Sequence, residues 1–273
     1  MFRADLHTHT NCSDGTDDPL ALLQLAHQVG LQGLSITDHD TIEAYTPELF
    51  AKAAELDIRI LPGIELSTEL NQQSVHLLAY RIDLSAPLLH RHLAEMQERR
   101  RERNRGIVQK LAQRKIAITE EELYEYALKT RAKRTVGRPH IAQLLVQKGY
   151  VTSAYEAFER YLKEGASCYT CGLKYTPQET IELIHKIGGK AVLAHPHFLR
   201  KGAFLRQLLS LPFDGIECHY GNLHKELEKP WLKIAKEKNW IATGGSDYHG
   251  SVKPQIPLGC SWVSEPIFTL LTE

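Results

Sequence analysis

An α/β barrel interrupted by a helical insertion is the fold this 273-residue sequence predicts. Three observations predict it. Short apolar runs alternate with amphipathic stretches over residues 1–83 and again from 176, the pattern of parallel βαβ units. Between them, from about 88 to 165, the sequence reads as helix with no strand-like run. Third, side chains that bind metal ions recur at or just after the C-terminal ends of the expected strands, the rim where α/β barrels build active sites.

Phe2 to Leu6 reads as the first strand, ending at His7. Asp18-Pro19 opens a helix with Leu20, Leu23 and Ala26 on one face, closing near Gly30. Gly33 to Thr37 is the second strand, a helix covers 43–56, and Ile58 to Leu61 and Val75 to Tyr80 are the third and fourth strands. After the helical middle, Thr176-Pro177 with Glu179 starts a helix that ends at Gly188-Gly189. Lys190 to Ala194 is a strand ending at His195, and a helix near 202–210 leads to the strand Gly215 to His219. Leu223 to Lys238 is a helix, and Trp240 to Gly244 is the last strand of the series. Residues 1–83 and 176–273 are therefore expected to form the barrel, and 84–175 a helical insertion lying over one end of it as a lid.

The motifs are Asp5-Leu6-His7-Thr8-His9 followed by Asp14, then Thr37-Asp38-His39-Asp40, Pro62-Gly63-Ile64-Glu65 and a lone His76. Downstream are Ala194-His195-Pro196-His197 and Gly245-Ser246-Asp247-Tyr248-His249. Imidazole and carboxylate without thiolate suit Zn, Mn and Fe in hydrolytic sites. His7 and His9, two apart on a strand, face the same way and can grip one ion. Asp5 and Asp38 read as groups orienting imidazoles, or Asp38 and Asp40 as turn residues. His195 precedes a proline, which favours an extended backbone. Any one motif has a structural reading; together, all at expected strand ends, they point to one multinuclear centre.

Composition narrows the partners. Lys plus Arg and Asp plus Glu are 33 each, so no global charge draws polyanions. No apolar run approaches the roughly 20 residues that span a bilayer, and the start carries no secretory pattern, so a cytoplasmic location is expected. Five cysteines, an odd number, suggest reduced thiols. Cys168 and Cys171 form a C-x-x-C with no second pair, which reads as loop packing. The basic run Arg99 to Arg105 reads as the solvated face of a helix, with Glu98 and Glu102 as partners.

The segments DLHTHTNCSDGT, TDHDT, PGIE, the lone His76, AHPH and GGSDYHG resemble, in order and spacing, the motifs of the PHP (polymerase and histidinol phosphatase) family. The central TVGRPHIAQLLVQKGYV is similar to the insertion of a branch of stand-alone bacterial nucleoside 3′,5′-bisphosphate phosphatases and 5′-3′ exoribonucleases. The resemblance implies a distorted (β/α)7 barrel with a trinuclear centre of divalent ions, Mn foremost, with Fe or Zn as alternatives. It implies His7, His9, Glu65 and Asp247 on the first ion, and Asp14, His39 and His249 on the second. Glu65 would bridge to a third, with His76 and His195. Two segments depart from the branch: Gly165 to Cys171 replaces a Pro-Ala-Tyr-Val type of loop, and His197-Phe198 stands where a small residue is common.

The implied activity is hydrolysis of the 5′-phosphate of nucleoside 3′,5′-bisphosphates and of short 5′-phosphorylated RNA, trimming the RNA from its 5′ end as a 5′-3′ exonuclease, by a metal-bridging hydroxide. No membrane and no obligate protein partner are implied. Asp14, His39, Arg138 and His140 are the expected catalytic residues, and Arg134, Arg138, His140 and His197 the expected substrate contacts. Arginine suits phosphate because its planar fork binds two oxygens, and His140 could bind phosphate or protonate the leaving oxygen. Phosphatase action on a small metabolite such as histidinol phosphate is the alternative. A non-catalytic module would be expected to have lost ligands. Hydrolysis of a C–N bond would be expected to use a lysine where Glu65 stands.

Overall fold

Eight strands and ten α-helices make up the described residues, 1–129, 135–170 and 175–273, in a computed structural model. β1 (Ala4–Thr8), β2 (Gly33–Ile36) and β3 (Arg59–Ile60) form a parallel sheet in that order. β4 (Gly63–Leu70), β5 (Gln73–Tyr80), β6 (Lys190–Leu193), β7 (Gly215–Tyr220) and β8 (Ile241–Gly245) form a second sheet in chain order. The helices that connect the first sheet are α1 (Pro19–Gln28) and α2 (Pro47–Glu55). α1 begins as expected at Asp18-Pro19, whereas α2 begins at Pro47 rather than at 43; the Asp18 and Thr46 side chains accept the N–H groups of Leu20 and Leu49, and proline takes the first helical position.

The expected all-parallel order is corrected at β4 and β5. The stretch after β3, to which the sequence reading assigns no element, is a strand, and β4 and β5 pair antiparallel with Leu70 opposite Gln73. Asn71 and Gln72 turn the hairpin with φ of 50° and 64°, the left-handed pair that a two-residue hairpin needs. β5 is antiparallel to β6 as well, and parallel pairing resumes from β6 to β8. His76 therefore lies in the N-terminal half of its strand, not at the C-terminal end. Reversal of the strand brings that half to the same rim as the other motifs.

The two sheets do not close into one continuous ladder. They meet through single bridges, Thr8 with Tyr248 and His39 with Glu65. At one seam Pro62 follows the two-residue β3 and offers no N–H to continue the pairing. At the other, the Asp5 carboxylate accepts the N–H of Ser246 at 2.9 Å, a donor that a neighbouring strand would otherwise use. The backbones still approach closely there: a Cβ on Gly245 would collide with the His7 nitrogen.

α3 (Pro87–Ala112), α4 (Glu120–Lys129), α5 (Arg138–Gln147) and the single-turn α6 (Ala154–Ala157), continued by a π-helical turn at Phe158–Leu162, fill the middle of the chain. No strand occurs among its described residues, as expected. α3 serves two cores. Leu89 and Leu93 pack with the second sheet, while Ile107, Val108 and Leu111 pack with Leu123, Ile141, Leu145 and Leu162 of the middle segment. α7 (Pro177–Lys186), α8 (Ala203–Leu209) and α9 (Lys225–Lys238) flank the second sheet. α10 (Glu265–Thr272) packs Phe268 and Leu271 beneath Leu6, Leu78 and Val192, which closes the end opposite the motifs. Leu6, Leu78, Val192 and Phe268 are all buried, and each such side chain is worth about 1.5–3 kcal/mol.

Candidate metal centre

Strand pairing alone brings the chemistry together. β1 supplies His7 and the residue just past its end, His9; the loops after β1 and β2 supply Asp14 and His39, and the hairpin strands supply Glu65 and His76. The turns after β6 and β8 supply His195, Asp247 and His249. Glu65 is at the middle. Its Oε2 lies 3.3, 3.2 and 3.2 Å from ring nitrogens of His7, His9 and His39, and its Oε1 lies 2.9 Å from both His76 and His195. Asp247 Oδ1 lies 3.5, 3.3 and 3.4 Å from His7, His9 and His249. Asp14 faces His249 at 3.4 Å and His39 at 3.8 Å. All nine residues named from the sequence are in this one cluster.

Three groups within it have ligand atoms mutually within 4.8 Å: His9, Asp14, His39 and His249; His7, His9 and Glu65; and His39, Glu65 and His76. The fit to cations is physical. Both ring nitrogens of buried His9, Nδ1 of His39 and Nδ1 of His195 have no hydrogen-bond partner, although carboxylate oxygens lie close by. Imidazoles aimed at a shared point rather than at a neighbour's lone pair are what ion coordination requires.

The electrostatics agree. Burial works to raise the Asp14, Glu65 and Asp247 carboxyls, but the surrounding imidazoles, with Lys253 foremost at Asp247, hold all three well below the usual range. The acids in turn load the rings. Against the opposing effect of burial, Glu217, Glu65 and Asp247 raise His7 well above its usual value, and the nearby Asp247 and Glu65 carboxylates raise His9 to about 9. Burial pushes His39 down to about 3.

Two residues of the cluster have left-handed backbone. Asp247 has φ 57° and His195 φ 26° and ψ 58°, a conformation that costs non-glycine residues on the order of 1–3 kcal/mol. The extended backbone expected of His195 before its proline is therefore corrected. Glu217 accepts the His195 N–H at 2.6 Å, and Phe198 N–H donates back to the His195 carbonyl, so the chain turns at once into a 3-10 helix at Pro196–Phe198.

Glu217 is the residue that sequence reading missed. Inside β7, its Oε1 is 2.8 Å from His7 Nδ1, and so fixes which nitrogen of His7 faces the cluster. Asp5 and Asp38 do not orient imidazoles. Asp5 accepts backbone N–H groups of Ser246, Gly259 and His7, and burial raises its carboxyl to about 6. Asp38 accepts from Thr10 and Ser13 and so holds the loop that carries Asp14. Tyr220 and Lys253, also missed, each donate to Asp247 Oδ2 at 2.6 Å.

The basic run is corrected too. Arg101 and Arg105 are exposed and paired with Glu98 and Glu120, but Arg100 and Arg103 are buried. Arg100 pairs with Asp40 and donates to Ser67 at 3.1 Å. Arg103 has no hydrogen-bond partner at Nε or Nη2, and burial, with Arg100 and Arg138 alongside, pulls its pKa well below that of a free arginine. Both line a cavity of about 150 Å³ with Arg138, His39 and His76. Arg138 opens α5 with its guanidinium 5.5 Å from the Tyr169 ring centre. His140 Nδ1 accepts the Gly137 N–H at 3.2 Å, and the ring borders an adjoining cavity with Asp14. His197 packs behind the cluster's mouth against Tyr220, ring centres 4.4 Å apart, and Phe198 is the residue that faces the cavity. Arg134 and Cys171 lie outside the described residues. Cys168 and Cys218 are buried, Cys12 is partly buried and Cys260 is exposed, and all four thiols are free.

Similarity to known proteins follows the same lines. The 5′-3′ exoribonuclease Rnm of Escherichia coli (strain K12) is 32% identical over 262 residues, covering 93% of this chain and 87% of the relative. The 3′,5′-nucleoside bisphosphate phosphatase of Chromobacterium violaceum is 29% identical over 255 residues, covering 91% of this chain and 88% of its own. A solved structure from Bifidobacterium adolescentis, described as a metal-dependent phosphoesterase, superposes with a TM-score of 0.87 at 30% identity, covering 98% of this chain and 94% of the other. The family model of the PHP domain matches residues 5–241, and with these motifs converged on one centre the chain belongs to the PHP domain family.

Proposed function

We propose that this protein is a metal-dependent phosphoesterase. In this reading it hydrolyses the 5′-phosphate of nucleoside 3′,5′-bisphosphates and trims short 5′-phosphorylated RNA from its 5′ end, in line with relatives named a 5′-3′ exoribonuclease and a 3′,5′-nucleoside bisphosphate phosphatase. The observation that carries it is the pairing of the nine-residue cluster with three arginines, Arg100, Arg103 and Arg138, around one adjoining cavity. His7, His9, Glu65 and Asp247 would hold one ion, Asp14, His39 and His249 a second, and Glu65, His76 and His195 a third, with Mn the foremost candidate. When bound, such ions acidify water into a nucleophile and neutralise phosphoryl charge.

The chain's own residues do the rest. Glu217 keeps His7 in one tautomer, and Lys253 and Tyr220 hold Asp247 by one oxygen, which leaves the other toward the cluster. Arg103, with Arg138, offers guanidinium donors to a second phosphate. His140, kept neutral by burial, is suited to a hydrogen bond with the substrate rather than to carrying charge. Residues 84–175 serve as the lid that brings these groups over the rim of a distorted barrel. A substrate with one phosphate, such as histidinol phosphate, would leave Arg103 without an anion, which favours the bisphosphate.

The test is phosphate release from adenosine 3′,5′-bisphosphate and from 5′-phosphorylated oligoribonucleotides by Mn-loaded protein, with His7→Ala as control. Release by the parent protein alone is expected. Absence of release from protein shown to carry metal would refute the reading.

A further inference from the structure

We infer that Phe198 is the stacking platform for the substrate's nucleobase. This rests on the phosphoesterase reading above and assigns the part of the substrate that the metal centre does not touch.

The cavity of about 320 Å³ that opens onto the cluster has two unlike halves. One carries Asp14, His39, Glu65, His76, His195 and Asp247, and suits phosphate. The other, in which Pro139, Ala154, Phe158, Phe198 and Val252 outnumber the polar Gln143 and Lys253, is mostly apolar. A nucleotide is divided in the same way, with a charged end and a flat apolar one. The volume lies at the lower end of the ~300–1,000 Å³ typical of small-ligand sites.

Phe198 stands out within the apolar half because it is 66% exposed. A single exposed aromatic is ordinary on a surface, but this one is fixed in place. It ends the 3-10 turn that begins at His195, and its ring is braced by His197 at 4.1 Å and edge-on by Tyr220 at 5.5 Å, 85° between planes. Its centre is 5.7 Å from the ring of His195, so a base on Phe198 and a phosphate at the cluster are within reach of one nucleotide. A rigid ring with most of its surface open, one turn from the reacting end, recognises any base by its π-face. This predicts dependence on having a base with little preference for which.

The test compares Phe198→Ala and Phe198→Trp in the metal-loaded full-length protein. The substrates are adenosine 3′,5′-bisphosphate and the same bisphosphate on an abasic sugar. Stacking contributes roughly tenfold in affinity per base. The alanine variant should therefore raise KM about tenfold on the adenosine substrate at little cost in kcat, leave the abasic substrate within twofold, and be rescued by tryptophan. Equal losses on both substrates, or none on either, overturn the platform. Calorimetric binding of adenosine 3′-phosphate against ribose 3-phosphate needs no turnover. If hydrolysis fails altogether while base-dependent binding persists and is lost in the alanine variant, the phosphatase reading falls and the platform stands. If binding shows no dependence on the base, the platform falls by itself.

Discussion

Glu217 touches no candidate ion position, yet it bears on two candidate ligands. It takes His7 Nδ1 at 2.8 Å and the His195 N–H at 2.6 Å. A carboxylate behind an imidazole typically contributes 10–100-fold in metal affinity. Glu217→Gln keeps the shape but removes the charge, and should weaken metal binding by roughly that factor. Metal content after dialysis against a graded chelator checks it, and unchanged content would leave Glu217 a packing residue. Arg103 makes the opposite trade. A buried guanidinium with unpartnered Nε and Nη2 destabilises the fold. Arg103→Met should therefore raise Tm by about 2–4 °C, which corresponds to roughly 1 kcal/mol in a chain of this size. It should also raise KM for the bisphosphate tenfold or more, the scale of a charge-assisted hydrogen bond. A lower Tm in a thermal melt would show that the charge is compensated within the fold.

At the scale of elements, α3 explains why its arginines were hard to read. Its buried positions Leu89, Leu93, Met96, Arg100, Arg103, Ile107 and Leu111 form one stripe at helical spacing, and two arginines stand where the apolar period would continue. Charge type said surface while position said interior, and only the cavity beneath them decides. The starts of α1 and α7 were legible because their caps are local: Asp18 and the Thr176–Glu179 box each act within four residues, whereas α2 begins four residues later than expected, behind its cap at Thr46. β4 was not, because Glu65, Ser67 and Thr68 give it no alternation, and all three are buried on both sides of the strand by tertiary neighbours. The hairpin turn offers a direct check. Gln72 has φ 64°, where a side chain is strained and glycine is not. Gln72→Gly, which creates the favoured Asn-Gly pair, should stabilise the fold by about 0.5–1 kcal/mol. Urea unfolding would show it, and a loss of stability would mean the Gln72 side chain makes a compensating contact.

Over the whole molecule, the nine clustered residues were legible because each belongs to a residue type and a short motif that carries chemistry wherever it is placed. The open seams between the sheets were not, because they depend on Pro62 and the Asp5 carboxylate acting across the fold. The burial of so many ionisable groups links stability to both pH and metal. His7 is raised well above its usual value and His9 to about 9, so the metal-free fold binds protons that the unfolded chain, titrating near 6.5, releases. That contribution is fully present below about pH 6.5 and is lost as pH rises through 9, because deprotonated rings leave Glu65, Asp14 and Asp247 uncompensated. A divalent ion replaces those protons, so its binding strengthens as pH rises and stabilises the fold by mass action. The Tm difference between Mn-loaded and chelator-stripped protein should therefore be small at pH 6 and widen steadily to pH 9, with protons released on loading at pH 7. Thermal melts at three pH values and a weakly buffered titration with indicator dye measure both. A gap that stays constant or narrows with pH would mean that the histidines do not hold the protons the acids demand, and that the metal is held by groups other than these nine.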